Sequence, residues 1–470
     1  MPPTHARLQK RSRRMPTIGR FARPSAVILA FATFAAFVAL TGGSSRPHIG
    51  WALVLRPASV LCIVAMLLAG PVNWRSVGPV SALLALFAAT IAIQLVPLPP
   101  ALWYGLDGRE SYDAVARLLG GTKLWHPLSV SPDRTWNSLV ALLTPLGTII
   151  GFAALDDRQR RLLLWPVLGI VVFSMVLGVL QIASGTSSPL YWYKVSGRGQ
   201  LIGLLANRNH QAALLALALP LLRAWTLFPV AHRRSSRTRV MVGLAVGAAT
   251  VLYLLVLGSR AGLALLLVGL ISAFLVKPSI GTTRVSTRKR WMIAGGLVSG
   301  IAAILIIALS TDRAVAIGRL VDDDLSTEGR LAALPTLMQI IGKTWLLGTG
   351  FGSFVPVYAT YEPDALLKTS YFNNAHNDLI ELVITGGMPA LLVFLGFFVW
   401  WVRASWRTIS TSAPPPWRAL QRASAFGILI VLLASLTDYP LRAPLIAAVF
   451  TVLCCWLAHT PDTGTSRIHD

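Results

Sequence analysis

The sequence predicts an all-α polytopic membrane bundle on three observations. Hydrophobic residues are 54% of the 470 and charged ones 13%, with a mean hydropathy of +0.64, so most of the length is unsuited to the surface of a water-soluble domain. Apolar runs of about 16 to 24 residues, enough to cross a hydrocarbon core of roughly 30 Å, recur along nearly the whole chain. Lys and Arg gather in alternate connections between these runs, the pattern that sets orientation in multi-span proteins.

About twelve spans are expected, at 24–41, 51–70, 78–97, 136–154, 162–182, 204–222, 239–257, 260–276, 291–309, 379–402, 422–437 and 443–458. With the N-terminus inside, the cytoplasmic segments are 1–23, 71–77, 155–161, 223–239, 277–290, 403–422 and 459–470. They hold about 26 of the 42 basic residues and about 4 of the 18 acidic ones. The net charge of +24 thus falls almost wholly on one face. It is spread over short loops rather than collected on one domain, which fits topology and contact with membrane lipids and argues against a nucleic-acid partner. The chain divides into a basic cytoplasmic segment, 1–23, a membrane domain, 24–458, and a cytoplasmic tail, 459–470. Arg7, Lys10, Arg11, Arg13 and Arg14 ahead of the first apolar run resemble a signal peptide with an overlong basic region; the loop alternation favours a retained first helix.

The three cysteines, Cys62, Cys454 and Cys455, fall inside expected spans, so neither a disulfide framework nor a CxxC pair is present. Two outer loops stand out by length. The loop 98–135 carries Trp103, Tyr104 and Trp125, with Trp136 just past its end, aromatic residues suited to the membrane interface. The loop 310–378 contains Leu331, Leu334, Leu337, Met338 and Ile341 at helical spacing, which predicts a helix over the bundle. Long ordered loops are usually functional.

The polar residues left for a site on the outer face are few: Arg208, His210, Arg260, Arg330, His376, Asp378, Glu381, Asp438 and Arg442. In Gly258-Ser259-Arg260-Ala261-Gly262, a tight turn joins two spans; Ser259 is a good helix N-cap, and Arg260 fits either an anion held at that helix end or an interface arginine reaching for headgroups. Arg330 opens the expected loop helix, where it fits an anion contact or a surface pair with Glu328 or with Asp322, Asp323 or Asp324. Those three acids also have the spacing of a divalent-cation site, or of an ordinary solvated loop. His376 stands between Asn374 and Asn377, which can fix its tautomer, and near Asp378 and Glu381, which can raise its basicity or simply cap the loop. Asn207-Arg208-Asn209-His210 opens the sixth span, with Asn207 or Asn209 as its cap. Asp438-Tyr439-Pro440-Leu441-Arg442 turns between the last two spans.

Taken in order, Gly203-Leu204-Leu205-Ala206-Asn207-Arg208-Asn209-His210, Gly258-Ser259-Arg260-Ala261-Gly262, Gly329-Arg330, Leu347-Gly348-Thr349-Gly350-Phe351-Gly352-Ser353-Phe354, Asn374-Ala375-His376-Asn377-Asp378 running into Thr385-Gly386-Gly387-Met388, and Asp438-Tyr439-Pro440-Leu441-Arg442 resemble the O-antigen ligase and polymerase family of bacterial membrane glycosyltransferases. The likeness covers roughly 95–460. It departs at Ala261, where a second small residue precedes Gly262, and at Asp378-Leu379, where a tyrosine often follows. The resemblance implies a GT-C-type helical fold in the bacterial inner membrane with its site on the periplasmic side. It implies transfer of a glycan from a polyprenyl-diphosphate donor, of the undecaprenyl kind, to a hydroxyl of a glycan or lipid A core acceptor, without a metal or other cofactor. It matches Arg260 and Arg330 to the arginines that hold the diphosphate and His376 to the essential histidine. Arg208 and Arg442 would assist, with Asn207, His210, Ser259, Asn374, Asn377, Asp378, Glu381 and Asp438 in support.

The rival class is a transporter or lipid-linked-sugar flippase. Carriers place polar residues near the bilayer midplane; here the middles of most spans are clean, Arg56 being the conspicuous exception.

Overall fold

The computed structural model describes residues 23–46, 50–121, 124–193, 196–229, 233–277, 331–367, 372–410 and 415–460. It is an all-α membrane bundle: α1 (Arg23–Thr41), α2 (Trp51–Ala69), α3 (Gly78–Ile93), α4 (Pro100–Trp103), α5 (Glu110–Leu118), α6 (Pro132–Ala141), α7 (Leu143–Ala154), α8 (Asp157–Leu162), α9 (Leu164–Ala183), α10 (Arg208–Thr226), α11 (Arg233–Leu257) and α12 (Arg260–Leu275). These are followed by α13 (331–344), α14 (Phe354–Tyr361), α15 (Asp378–Ser410), α16 (Pro415–Ser435) and α17 (Pro444–Ala458). Among the described residues seven helices are long and apolar enough to cross a membrane, and α12 and α17 are shorter apolar ones. Each expected span falls on a helix except the ninth, 291–309, which lies outside the described residues.

α10 is the axis. Ala212 to Leu222 are almost completely buried, and the helix packs against α9, α11, α12 and α16. Lipid tails are as apolar as leucine, so burial alone does not pull such helices together; close packing of small residues does. A Cβ added at Gly269 of α12 would stand 2.8 Å from the Ala216 carbonyl oxygen of α10, and one at Gly262 would stand 2.8 Å from the Ala212 Cβ. The two glycines let α12 lie flush on α10, which brings the α12 N-terminus up to that of α10.

A second close approach shapes α15. At Gly387 (φ 62°, ψ −160°) the helix breaks, and the turn after α13 docks into the break: Thr349 N donates to Ile384 O (3.0 Å), Gly350 N to Thr385 O (2.9 Å) and Met388 N to Leu346 O (3.2 Å). Gly348 also has positive φ, 74°, and a Cβ there would meet the Thr385 carbonyl oxygen at 2.4 Å. Gln94 at the end of α3 clamps the same junction, donating to Thr385 O and accepting from Phe351 N, both 2.9 Å.

The outer loops differ from expectation in two respects. Residues 97–98 and 126–127 form a two-residue antiparallel ribbon, Pro97 against Pro127 and Leu98 against His126, which closes the base of the first long loop. α13 exists, but it buries Ala333, Leu337 and Ile340 against Phe354, Val357, Tyr358, Ala375 and Ile384, leaving Leu331, Leu334 and Met338 exposed. Its apolar residues cover more than one face, so spacing alone did not single out the packed one. This small second core carries Ala375 and hence the neighbouring His376.

Gly387→Ala puts a side chain where φ is positive and where the Gly348 amide nitrogen stands 2.5 Å from the new Cβ. It is expected to cost about 2 kcal/mol or more, read as a lower thermal midpoint in detergent, whereas Gly396→Ala, with open space around it, leaves the midpoint nearly unchanged.

Candidate functional site

Asp438 is the centre of the polar cluster. Its carboxylate is buried, 1% exposed, in the turn between α16 and α17, so it requires donors. Asn207 Nδ2 and Asn209 Nδ2 donate to Oδ2 at 3.1 and 2.8 Å, and the Tyr439 amide donates to Oδ1 at 3.0 Å. Two imidazoles face the same Oδ1: His376 Nδ1 at 3.6 Å and His210 Nε2 at 3.8 Å. Burial pushes the Asp438 carboxyl up, but hydrogen bonding and charge from His210 and His376 outweigh it and hold the group well below the usual carboxylate range.

His376 sits in the left-handed region, φ 49°, the one non-glycine residue with positive φ among the described residues. Such a conformation is tolerated where the surroundings over-determine it. They do so here: Glu381 Oε2 accepts from the Ala375 amide at 2.9 Å, and Asn377 Oδ1 caps α15 through the Leu379 and Ile380 amides at 3.0 and 3.1 Å. Asn377 Nδ2 donates to Leu436 O at 3.0 Å, tying the loop to the end of α16. The ring lies between Phe372 and Tyr439, centroids 5.7 and 5.2 Å away. Nδ1 is buried while the side chain as a whole is 19% exposed, so the accessible edge is the Nε2 edge. An aspartate behind Nδ1 and an open Nε2 is the arrangement of a general base.

The expected partners of the ring are therefore displaced. Asn374 and Asn377 make their polar contacts elsewhere, and Asp378 and Glu381 belong to Arg442. That guanidinium donates to Asp378 Oδ1 (3.3 Å), Glu381 Oε1 (2.6 Å) and Asn374 Oδ1 (2.7 Å). Burial works against its charge, but the two carboxylates win and hold Arg442 above its ordinary value. Through Nε and Nη1, Arg442 clamps the α17 approach to the His376 loop.

Asn207 caps α10 by accepting from the Asn209 amide at 2.8 Å. Asn209 Oδ1 in turn accepts from Ser259 Oγ at 2.7 Å, and Ser259 Oγ caps α12 through the Gly262 amide at 2.9 Å. A hydrogen-bonded path thus runs from Asp438 through Asn209 to Ser259, with His376 Nδ1 facing Asp438 at 3.6 Å; Arg260, the chain neighbour of Ser259, is exposed on the first turn of α12. Arg208, half-buried, opens α10 beside the same asparagines. Arg330 and Asp322 to Asp324 lie outside the described residues. The signal missed in sequence is Asn209, which bridges the two caps.

Residues 245–395 match the family model described as O-antigen ligase. No curated protein matches the chain. The matched stretch holds Ser259, Arg260, His376, Asp378 and Glu381, while His210, Asp438 and Arg442 come to the cluster from outside it.

Arg442→Gln would strand the buried Glu381 carboxylate and the half-buried Asp378 one and is expected to cost about 3 kcal/mol; adding Asp378→Asn and Glu381→Gln should restore much of the loss, measured by thermal unfolding in detergent. The depressed Asp438 group contributes stability that is fully present above its unfolded value near 4 and lost as pH falls toward its folded value. Acid unfolding of the Asp438→Asn protein, followed by intrinsic fluorescence, should accordingly show a shallower loss of stability below about pH 4 than the parent shows.

Proposed function

We propose, from the match of residues 245–395 to the O-antigen ligase model on a membrane bundle, that the protein is a membrane glycosyltransferase that moves a glycan from a polyprenyl-diphosphate donor to an acceptor hydroxyl of a surface polysaccharide or lipid A core. The reaction takes place at the outer face of the inner membrane. The observation that carries this reading is the His376–Asp438 pair, joined through Asn209 and Ser259 to the turn that holds Arg260.

Asp438, facing His376 Nδ1 at 3.6 Å, favours the tautomer with its proton on Nδ1 and a basic Nε2. Nε2 takes the proton of the acceptor hydroxyl as that oxygen attacks the anomeric carbon from the side opposite the diphosphate, giving inversion. The C–O bond to the diphosphate breaks with its electron pair on the departing oxygen. Arg260, Arg330 and Arg208 meet that growing negative charge, guanidinium forks being matched to phosphate oxygens. The donor phosphodiester is already activated, so no nucleotide is consumed, and arginines neutralise the charge that a cation would otherwise offset.

In membranes from cells expressing the variants, His376→Ala should lower transfer of labelled glycan from its lipid carrier by about 10² to 10⁴, and Arg260→Ala should do the same, with insertion into the membrane intact. Activity of the parent should persist in excess chelator. A transfer-competent His376→Ala protein would remove the base from this mechanism.

A further inference from the structure

Arg56 is the charged residue that the transfer reading leaves unexplained. It lies five residues into α2 from Trp51, about 7.5 Å along the axis, on a helix whose Leu53, Leu61 and Leu68 are 78, 70 and 83% exposed and so face lipid. This end of α2 is on the His376 side. The Trp51 indole donates to Trp192 O, and the preceding segment is tied to both ends of the site: Leu445 N donates to Gly42 O and Ala206 N to Gly43 O, at 2.9 and 3.0 Å. Arg56 Nη1 donates to Asn137 Oδ1 of α6 at 2.8 Å. Arg134, half-buried, stands three residues before Asn137, a spacing that places the two on one helix face. The α6 end is also on the His376 side, because the Thr135 hydroxyl donates to Phe351 O at 2.8 Å.

Among the described residues no carboxylate pairs with Arg56 or Arg134, and the Asn137 amide N–H group donates to nothing. A guanidinium at this depth is costly without a counter-charge, and an anion bridging the two side chains would supply one. The acyl-chain-facing side of α2 and the headgroup depth of Arg56 specify its source. We propose that Arg56, Asn137 and Arg134 bind the phosphate of an anionic phospholipid headgroup in the leaflet on the His376 side. The guanidinium forks take the phosphate oxygens, and the acyl chains lie along Leu53 and Leu61. The site is independent of the proposed transfer chemistry.

The test is native mass spectrometry of the full chain released from neutral detergent after addition of phosphatidylglycerol, phosphatidylcholine or inorganic phosphate. The parent is expected to retain one more tightly held phosphatidylglycerol than the Arg56→Gln, Arg134→Gln double variant, with apparent affinity at that site weakened about tenfold or more in the variant, and phosphatidylcholine should not substitute. If the double variant does not fold, Arg134→Gln alone, whose side chain makes no hydrogen bond among the described residues, should still weaken that site at least about threefold. Equal retention by parent and variant, or equal retention of phosphatidylcholine, overturns the proposal. So does displacement of the lipid by inorganic phosphate, which would make the site one for a free anion.

Discussion

A single buried carboxylate organises the end of this bundle that holds His376. Asp438 has no route to water, and an unpaired charge in that position would cost several kcal/mol, so the fold is obliged to bring it donors. Those donors come from the N-cap segment of α10 and the amide of Tyr439, and the His376 ring faces the same carboxylate at 3.6 Å. Satisfying the aspartate therefore aligns the imidazole, and aligning the imidazole leaves Nε2 on the accessible side. In the proposed mechanism stability and chemistry depend on the same contact, and removing it would disturb both.

The helices make that contact affordable through close packing rather than through burial of oily surface. Gly262 and Gly269 seat α12 against Ala212 and Ala216 of α10, so the two helix ends, with Asn209 and Ser259 on them, meet at hydrogen-bond distance. On the other side Gly348 and Gly387 let the post-α13 turn enter the break in α15, and Arg442 locks the start of α15 to the α17 approach. The His376 loop is held from both directions, which is how a left-handed histidine backbone is sustained.

Much of the architecture was legible in sequence because it rests on local signals. Apolar run length and the placement of Lys and Arg report on each segment separately, and Asn207 and Ser259 sit at the cap positions their side chains favour. The pairing of His376 with Asp438 was not legible, because no local pattern links a loop to a turn across the bundle, and Asn209 meets Asp438 from 229 residues away. Asp378 and Glu381, three residues apart on one helix face, meet Arg442 and not the His376 ring, a pairing across 64 and 61 residues that no local pattern announces. The packed face of α13 was obscured by its surplus of apolar residues. Arg330 and the Asp322 to Asp324 run lie outside the described residues.

The central claim is that His376 and Asp438 act as one unit on the acceptor proton. A double-mutant cycle on the rate of glycan transfer, comparing the parent with His376→Ala, Asp438→Asn and the combined variant at matched membrane levels, tests it most directly. The account predicts that Asp438→Asn adds little or no further loss once His376 is gone. Losses that multiply, with the aspartate substitution costing the same factor whether or not the imidazole is present, would contradict it.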